Sequence, residues 1–226
     1  MSGQPACDVT WLGRLDYEEA WCQQRRQVEA RVEGRISDTL LLVEHPPVYT
    51  CGRRGADGQF LADPGQLQAL GARVCEVDRG GGLTFHGPGQ IVAYPILDLQ
   101  AWRPDLHAYL RALEEVILRT LADYGVAGQR CPGLTGVWVR RDKVAAIGVK
   151  VSRWVSCHGF ALNVNVDLDW FRHIVPCGVS DRGVTSMQGL LGRELGLERV
   201  SEAIVRHFGD VFGRRMRMKV ATGCES

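Results

Sequence analysis

No stretch of the 226 residues comes near the roughly 18 consecutive apolar side chains that a membrane-spanning helix needs. The start, MSGQPACDVTWLGRL, has neither the basic opening nor the apolar core of a secretory signal. An excess of one charge is missing too: 27 Lys and Arg stand against 26 Asp and Glu, a formal net charge of +1, which gives no basis for a nucleic-acid partner. The eight cysteines form no Cys-x-x-Cys pair and no Cys/His group at zinc spacing, so no metal site is expected. Nothing repeats, and no linker or change of composition divides the chain. These absences lead to the expectation of a cytoplasmic protein with reduced thiols, without membrane or nucleic-acid partners, built as a single domain over residues 1–226. Only GRRMRMK (213–219) is locally basic, and residues 214–226 read as a flexible basic tail.

What is present suits an ordinary globular protein, at 45% hydrophobic and 23% charged residues. A chain this long buries roughly 70–75% of its unfolded surface and needs no disulfide staples. Tyr17, Ala20, Trp21, Val28 and Val32 recur at helical intervals after Asp16 and run up to Gly34. Pro104 and Asp105 open a second helix, whose stripe is Leu106, Tyr109, Leu110, Leu113, Val116, Ile117, Leu121 and Tyr124, closed by Gly125. Thr185 with Gln188, and Ser201 before EAIVRHF, mark two further helix starts. Strands are expected at TLLLVEH (39–45), RVCEVD (73–78) and GQIVAYPI (89–96). GVWVR, KVAAIGVKV and HGFALNVNV then read as an antiparallel meander, with its first turn at Arg141 and Asp142. The pattern predicts an α+β fold: a mixed, largely antiparallel sheet packed on one face by helices.

Two stretches carry chemistry. DRGGGLTFHGPGQIVAYPI (78–96) places five glycines and His86 between strands, and glycine at that density is tolerated mainly where backbone takes unusual dihedrals or approaches something closely. It is not a dinucleotide fingerprint, because Phe85 breaks the third glycine position and a strand follows; nor is it a Walker A loop, which would end in Gly-Lys-Ser/Thr. A shaped wall carrying Arg79 and His86, with main-chain amides open to a ligand, remains. In RHIVPCGVSDRGVTSM (172–187), Cys177 sits between Pro176 and Gly178, a setting that presents a sulfur from a loop. An unperturbed thiol, pKa about 8.5, is only a few per cent ionised at neutral pH, so a nucleophilic Cys177 requires a base or cation nearby. Lys143, Lys150, His158 and His86 are the candidates. Cys157 and His158, adjacent on a strand, point to opposite faces and do not make a pair with each other. His45, His107, His173 and His207 read as structural.

Four blocks in order, LLLVEHPPVYTCGRRG, DRGGGLTFHGPGQIVAYPILDL, KVAAIGVKVSRWVSCHGFALNVNVDL and FRHIVPCGVSDRGVTSM, resemble the octanoyltransferases of lipoate biosynthesis, the lipoyl(octanoyl) transferase family. The resemblance spans roughly residues 39–188. It implies the fold of the biotin and lipoate protein ligase catalytic domains. It also implies transfer of octanoyl from the phosphopantetheine of acyl carrier protein to a lysine of lipoyl domains, those of 2-oxoacid dehydrogenase complexes and of glycine cleavage H protein. Neither ATP nor a metal is implied as cofactor. The family's acyl-thioester cysteine falls on Cys177 and its acid/base lysine on Lys143. Its acyl-binding segments fall on Arg79, Gly80, Gly81, Gly82, Leu83, Thr84, Phe85 and His86, then on Ala146, Ile147 and Gly148, then on Gly159, Phe160 and Ala161. Phe85 stands where the family usually has tyrosine, and Cys51 where leucine is expected. An ATP-dependent lipoate ligase would instead continue as Asp-x-Gly-Asn after the histidine, where this chain has Gly87-Pro88-Gly89-Gln90.

Overall fold

The computed structural model describes residues 3–175 and 182–220. In chain order the first half forms β1 (Ala6–Arg14), α1 (Tyr17–Val32), β2 (Asp38–Glu44), β3 (Val48–Cys51), α2 (Pro64–Ala69), β4 (Arg73–Glu76), β5 (Leu83–His86) and β6 (Gln90–Ile96). The second half adds α3 (Leu99–Trp102), α4 (Leu106–Asp123), β7 (Gln129–Cys131), β8 (Leu134–Val139), β9 (Asp142–Ser152), β10 (Val155–Asn163), α5 (Met187–Leu191), α6 (Leu197–Phe212) and β11 (Arg215–Lys219), with a 3-10 turn at Leu168–His173. Eight strands make one sheet in the order β11-β1-β2-β6-β10-β9-β8-β7, and β4-β3-β5 make a second. The α+β expectation holds. In the large sheet β11, β1 and β2 run parallel and the remaining pairs antiparallel, including the meander β8-β9-β10.

Alternation along the central strands decides what covers each face. Leu40 and Leu42 of β2, Ile91 and Ala93 of β6, and Phe160 and Leu162 of β10 share a core with α4 and α6. Leu41, Val43, Val92, Tyr94 and Ala161 point the other way and pack on Ala20, Val28 and Val32 of α1. Helices therefore cover both faces, not one. The sequence hides this because every residue of β2 and of β6 is buried, as in a strand covered on both sides. The small sheet lies on the α1 side, where Val48 and Val77 meet Tyr17.

Local chemistry sets the helix ends. Asp105 caps α4 by accepting the N–H of Ala108, and Gly125 takes φ +73° just beyond the helix. Two starts differ from expectation. The cap of α5 is Ser186, whose Oγ accepts from the N–H of Gly189 at 3.1 Å, and not Thr185. Helix α6 begins at Leu197 rather than Ser201, because its apolar stripe of Val200, Ile204, Phe208 and Phe212 extends upstream and leaves Ser201 buried within it. The β8–β9 turn occupies Arg140 and Arg141, one residue earlier than expected: Val139 pairs with Asp142, and Arg140 takes φ +55°.

The expected flexible tail from residue 214 is also corrected. Arg215–Lys219 are strand β11, paired in parallel with β1, while residues 221–226 lie outside the described ones. The anchor is electrostatic. Asp38 accepts from Arg214 Nε and Arg31 Nε, both at 2.8 Å, and from the backbone N–H of Asp98 at 3.0 Å; Asp38 and Arg214 are buried, and Arg31 and Asp98 partly so. Arg217 of β11 pairs with Asp8 at 2.7 Å in a more exposed setting.

Between the two sheets the packing is polar. His45 donates from Nδ1 to the carbonyl of Leu15 at 2.7 Å, so its Nε2 accepts from the Tyr94 hydroxyl at 2.8 Å. Tyr17 lies against both His45 and His86 at ring distances of 5.2 and 5.8 Å. Burial drives both imidazoles toward the neutral form, lowering His45 to about 4 and, with further help from His45 and Arg79, His86 to about 3.

Two outcomes are expected. Arg214→Met strands one oxygen of a buried carboxylate and should lower stability by about 3 kcal/mol, whereas Arg217→Met should cost under about 1 kcal/mol. Thermal midpoints of the two variants test the difference, and equal small losses would show that β11 is not held by Asp38. Acid should also destabilise the protein. An unfolded histidine titrates near 6.5, so below that pH the unfolded chain binds protons that native His45 and His86 refuse until pH approaches about 4 and about 3. Each contributes a loss of about 2 kcal/mol at pH 5. A urea midpoint that does not move between pH 7.5 and 5 would refute this.

Candidate active site

Cys177 lies outside the described residues, as do the flanking Pro176 and Gly178. Its proposed partner Lys143 is the second residue of β9 and is buried, 8% exposed. The lysine backbone is clasped to the chain that resumes at residue 182. Its N–H donates to the carbonyl of Gly183 at 2.9 Å, and its carbonyl accepts from the N–H of Thr185 at 3.0 Å, a parallel bridge centred on Val184. On the other flank the N–H of Val175 donates to the carbonyl of Gln59 at 2.7 Å. Both ends of the segment carrying Cys177 are thus tied to the fold, one of them to the lysine itself.

The side chain of Lys143 enters a small recess with Thr84, Gln90, Ala146, Asn163, Phe171 and Val184. A second cavity, about 40 Å³, lies between the sheets; Thr84 and Ala146 line both, so the two abut. Ten of the residues expected to bind acyl chain line this cavity: Arg79, Gly81, Thr84, His86, Ala146, Ile147, Gly148, Gly159, Phe160 and Ala161. Tyr17, Val92, Tyr94 and His158 complete it. Three segments distant in sequence therefore meet at one hollow beside Lys143.

The other four lie elsewhere. Leu83 and Phe85 alternate with Thr84 and His86 on β5 and turn into the core of the small sheet. There Phe85 stacks on Trp170 with centroids 5.2 Å apart and packs on the ring of Tyr49 at 5.1 Å, and its side chain does not line the hollow. Gly80 and Gly82 make room for protein. Gly80 donates its N–H to the carbonyl of Val149 at 2.9 Å, and a Cβ on Gly148 would stand 2.8 Å from the carbonyl of Gly80. A Cβ on Gly82 would meet the Gln59 amide oxygen at 2.8 Å. Much of the glycine density thus serves the approach of one chain segment to another, with Gly81 (φ +90°) left facing the hollow.

A chain of hydrogen bonds runs along the wall. Arg79 donates through Nη2 to the carbonyl and hydroxyl of Thr50 at 2.5 and 2.7 Å. The Thr50 hydroxyl lies 3.4 Å from His86 Nε2, and His86 Nδ1 donates to Gln90 Oε1 at 2.7 Å. Gln90 Nε2 donates to Asn163 Oδ1 at 2.8 Å, and Asn163 Nδ2 to the carbonyl of Thr185 at 3.0 Å, which returns to the clasp at Lys143. His86 is thereby committed on both nitrogens and is held neutral.

The remaining candidate bases are occupied elsewhere. Lys150 Nζ pairs with Asp78 Oδ2 at 2.5 Å and His158 Nε2 with Asp78 Oδ1 at 2.7 Å. Burial alone would raise the Asp78 carboxyl, but these two hydrogen bonds outweigh it and hold the group below its ordinary range. Burial keeps His158 neutral against the pull of Asp78. His158 also takes φ +56°, a left-handed position unusual in a strand, with its N–H donated to Gln24 Oε1 at 3.0 Å. The six described cysteines are free thiols. Burial pushes Cys7 up to about 12 and Cys157 to about 11, which makes them poor nucleophiles at neutral pH. Among the described residues no group of three His, Cys, Asp or Glu could hold a metal, and no helix is long and apolar enough to cross a membrane.

Sequence reasoning did not single out Thr50, Gln90, Asn163, Tyr17, Tyr94 or Trp138. The first three are short polar residues that gain meaning only from partners far along the chain. Trp138 was within reach, because a hairpin's register follows from its turn. The turn expected one residue late pairs Trp138 with Ala145, whereas the observed register sets it opposite Lys143.

Known proteins can now be set beside this geometry. Residues 16–209 match the lipoyl protein ligase A/B catalytic domain. An octanoyltransferase of Rubrobacter xylanophilus is 54% identical over 92% of this chain and 95% of its own. One of Solibacter usitatus is 49% identical over 93% and 94%. The bipartite lipoate protein ligase of Thermoplasma acidophilum superposes with a TM-score of 0.75 over 97% of this chain and 88% of its own, at 15% identity, and so shares the fold. A match this long, together with relatives this similar, establishes that the chain belongs to the lipoyl protein ligase A/B catalytic domain family.

Proposed function

We propose that the protein moves an octanoyl group from the phosphopantetheine thioester of an acyl carrier protein to a lysine of a lipoyl domain, by way of Cys177. The observation that carries this reading is the meeting of three remote segments at one hollow that abuts the Lys143 recess. The name octanoyltransferase on relatives 54% and 49% identical supports the acyl group and the reaction class.

The donor carbonyl is already activated as a thioester, so no nucleotide enters. Lys143 takes the thiol proton as Cys177 sulfur attacks that carbonyl; the tetrahedral adduct collapses, the carbon–sulfur bond to pantetheine breaks, and the same proton passes to the leaving sulfur. One thioester has replaced another at little cost. The acceptor lysine's amine then attacks the octanoyl-cysteine, an amide forms, the cysteine leaves as the thiol, and Lys143 accepts the amine's proton and returns it to that sulfur. The greater stability of the amide drives the second half. The hollow's apolar floor of Val92, Ala146, Ile147 and Ala161 receives the tail.

Protein incubated with octanoyl carrier protein should gain one octanoyl group on Cys177, seen by intact mass and released by hydroxylamine. The adduct should pass to a lipoyl domain without nucleotide. Cys177→Ala should show neither event, and a transfer that requires ATP would overturn the reading. Lys143→Met should lower the rate of adduct formation by roughly 10²–10⁴-fold while leaving the fold intact. An unaltered rate would remove Lys143 from the chemistry.

A further inference from the structure

A backbone clasp fixes the Cα of Lys143 but leaves four rotatable bonds between it and the amine, and an acid/base group works only within hydrogen-bond reach of its proton. Something must hold the far end. Among the described residues no carboxylate pairs with it. What the amine meets is an aromatic face: Nζ lies 4.7 Å from the centroid of Trp138, inside the range of a cation–π contact. The placement follows from the hairpin, since Trp138 is the direct cross-strand partner of Lys143. The ring is fixed, 1% exposed and fully packed.

A second cation uses the same ring. The guanidinium of Arg182 lies 5.0 Å from the Trp138 centroid, and Arg182 directly follows the segment that carries Cys177. One rigid indole thus meets a side chain from β9 and a side chain from the far foot of that segment. The indole Nε1–H has no hydrogen-bond partner among the described residues, so the face of the ring and not its polar edge makes these contacts.

We propose that Trp138 is a positioning residue for the acyl transfer: its ring holds the Lys143 amine and the Arg182 guanidinium, and so fixes the amine beside the chain at residue 182. This rests on the assignment of Lys143 as acid/base. An aromatic face suits that task better than a carboxylate. It attracts the ammonium that forms once the thiol proton has been taken, without accepting any N–H along a lone pair, so that proton stays available to the leaving sulfur.

The chain has three lysines, Lys143, Lys150 and Lys219. Protein grown on [ε-13C]lysine should therefore give three methylene signals, assigned with Lys→Arg variants. Ring current should displace the Lys143 signal upfield of the other two in the native protein and in Trp138→Phe, and Trp138→Leu should bring it back toward them. Over the same series the turnover number should fall roughly 10- to 30-fold in Trp138→Leu, the size of a desolvated cation–π contact, with KM for carrier nearly constant, and Trp138→Phe should restore most of it. A native Lys143 signal that coincides with those of Lys150 and Lys219 overturns the placement without any variant having to fold. A displaced signal whose loss in Trp138→Leu leaves turnover unchanged overturns the positioning role. A fully active Lys143→Met protein with native displacement intact overturns the acid/base assignment instead, and with it the catalytic purpose of the contact.

Discussion

The candidate site depends on two hydrogen bonds, those that Lys143 exchanges with Gly183 and Thr185 at 2.9 and 3.0 Å. Side chains on separate loops drift relative to each other, whereas a backbone bridge fixes both partners in one frame. Here the bridge joins the strand carrying the amine to the chain that emerges from residues 176–181. The meander supplies the other side of the frame, because β9 is held between β8 and β10. An amine on a strand held this way owes its position to sheet pairing, which is formed by the same hydrogen bonds that stabilise the fold.

The wall beside that frame solves a different problem. On the proposed reading the hollow takes an acyl chain and must be apolar, yet strands of two sheets bring backbone and polar side chains to its edge. Each such group costs a few kcal/mol if left unmade. The series from Arg79 through Thr50, His86, Gln90 and Asn163 matches donors to acceptors one by one and keeps the imidazole neutral, so the hollow acquires no charge at its rim other than the guanidinium of Arg79, which is turned onto Thr50 and the carbonyl of Gly80. Close packing of Gly80 against Val149 and Gly148 then brings the segment before β5 directly onto the backbone of β9. The density of glycine that marks the sequence is a consequence of joining two sheets tightly around a dry space.

Long periodic elements were legible. The stripe of α4 and the meander came from spacing alone, since each repeats its signal over many residues. The short strands β3 and β5 were not. β3 and β5 have four residues each, too few for a period, and β5 lies inside the glycine run. β11, RMRMK, does alternate, but its arginines suggested solvent. In the fold Arg217 answers Asp8, and Met216 reaches the main core. For the site, composition and spacing singled out the glycine wall and Cys177. The meander already sets 146–148 beside 159–161; what no local pattern encodes is that residues 79–86, whose strand β5 belongs to the small sheet, come up against β9 through Gly80 and Val149. A turn displaced by one residue was enough to conceal the pairing of Trp138 with Lys143, since it moves every cross-strand partner along by two positions, here from Ala145 to Lys143.

The size of the hollow bears on how an acyl chain is chosen. At about 40 Å³ it has room for a few water molecules and not for eight carbons. On the proposed reading the chain must open its own space. The two sheets share no strand, and among the described residues they meet here through side chains and the bond from Gly80 to Val149, so this seam yields at lower cost than either sheet's ladder. Each buried CH2 contributes about 0.8 kcal/mol, or about 5–6 kcal/mol for an octanoyl tail. A shorter chain gains too little to part the seam. A longer one continues to gain, but it must then displace Tyr17 and Tyr94 and break the hydrogen bond between Tyr94 and His45. On the proposed reading, length selection then arises from a rise in the cost of opening once the tail reaches that buried polar cluster, with no need for a rigid slot of the right size.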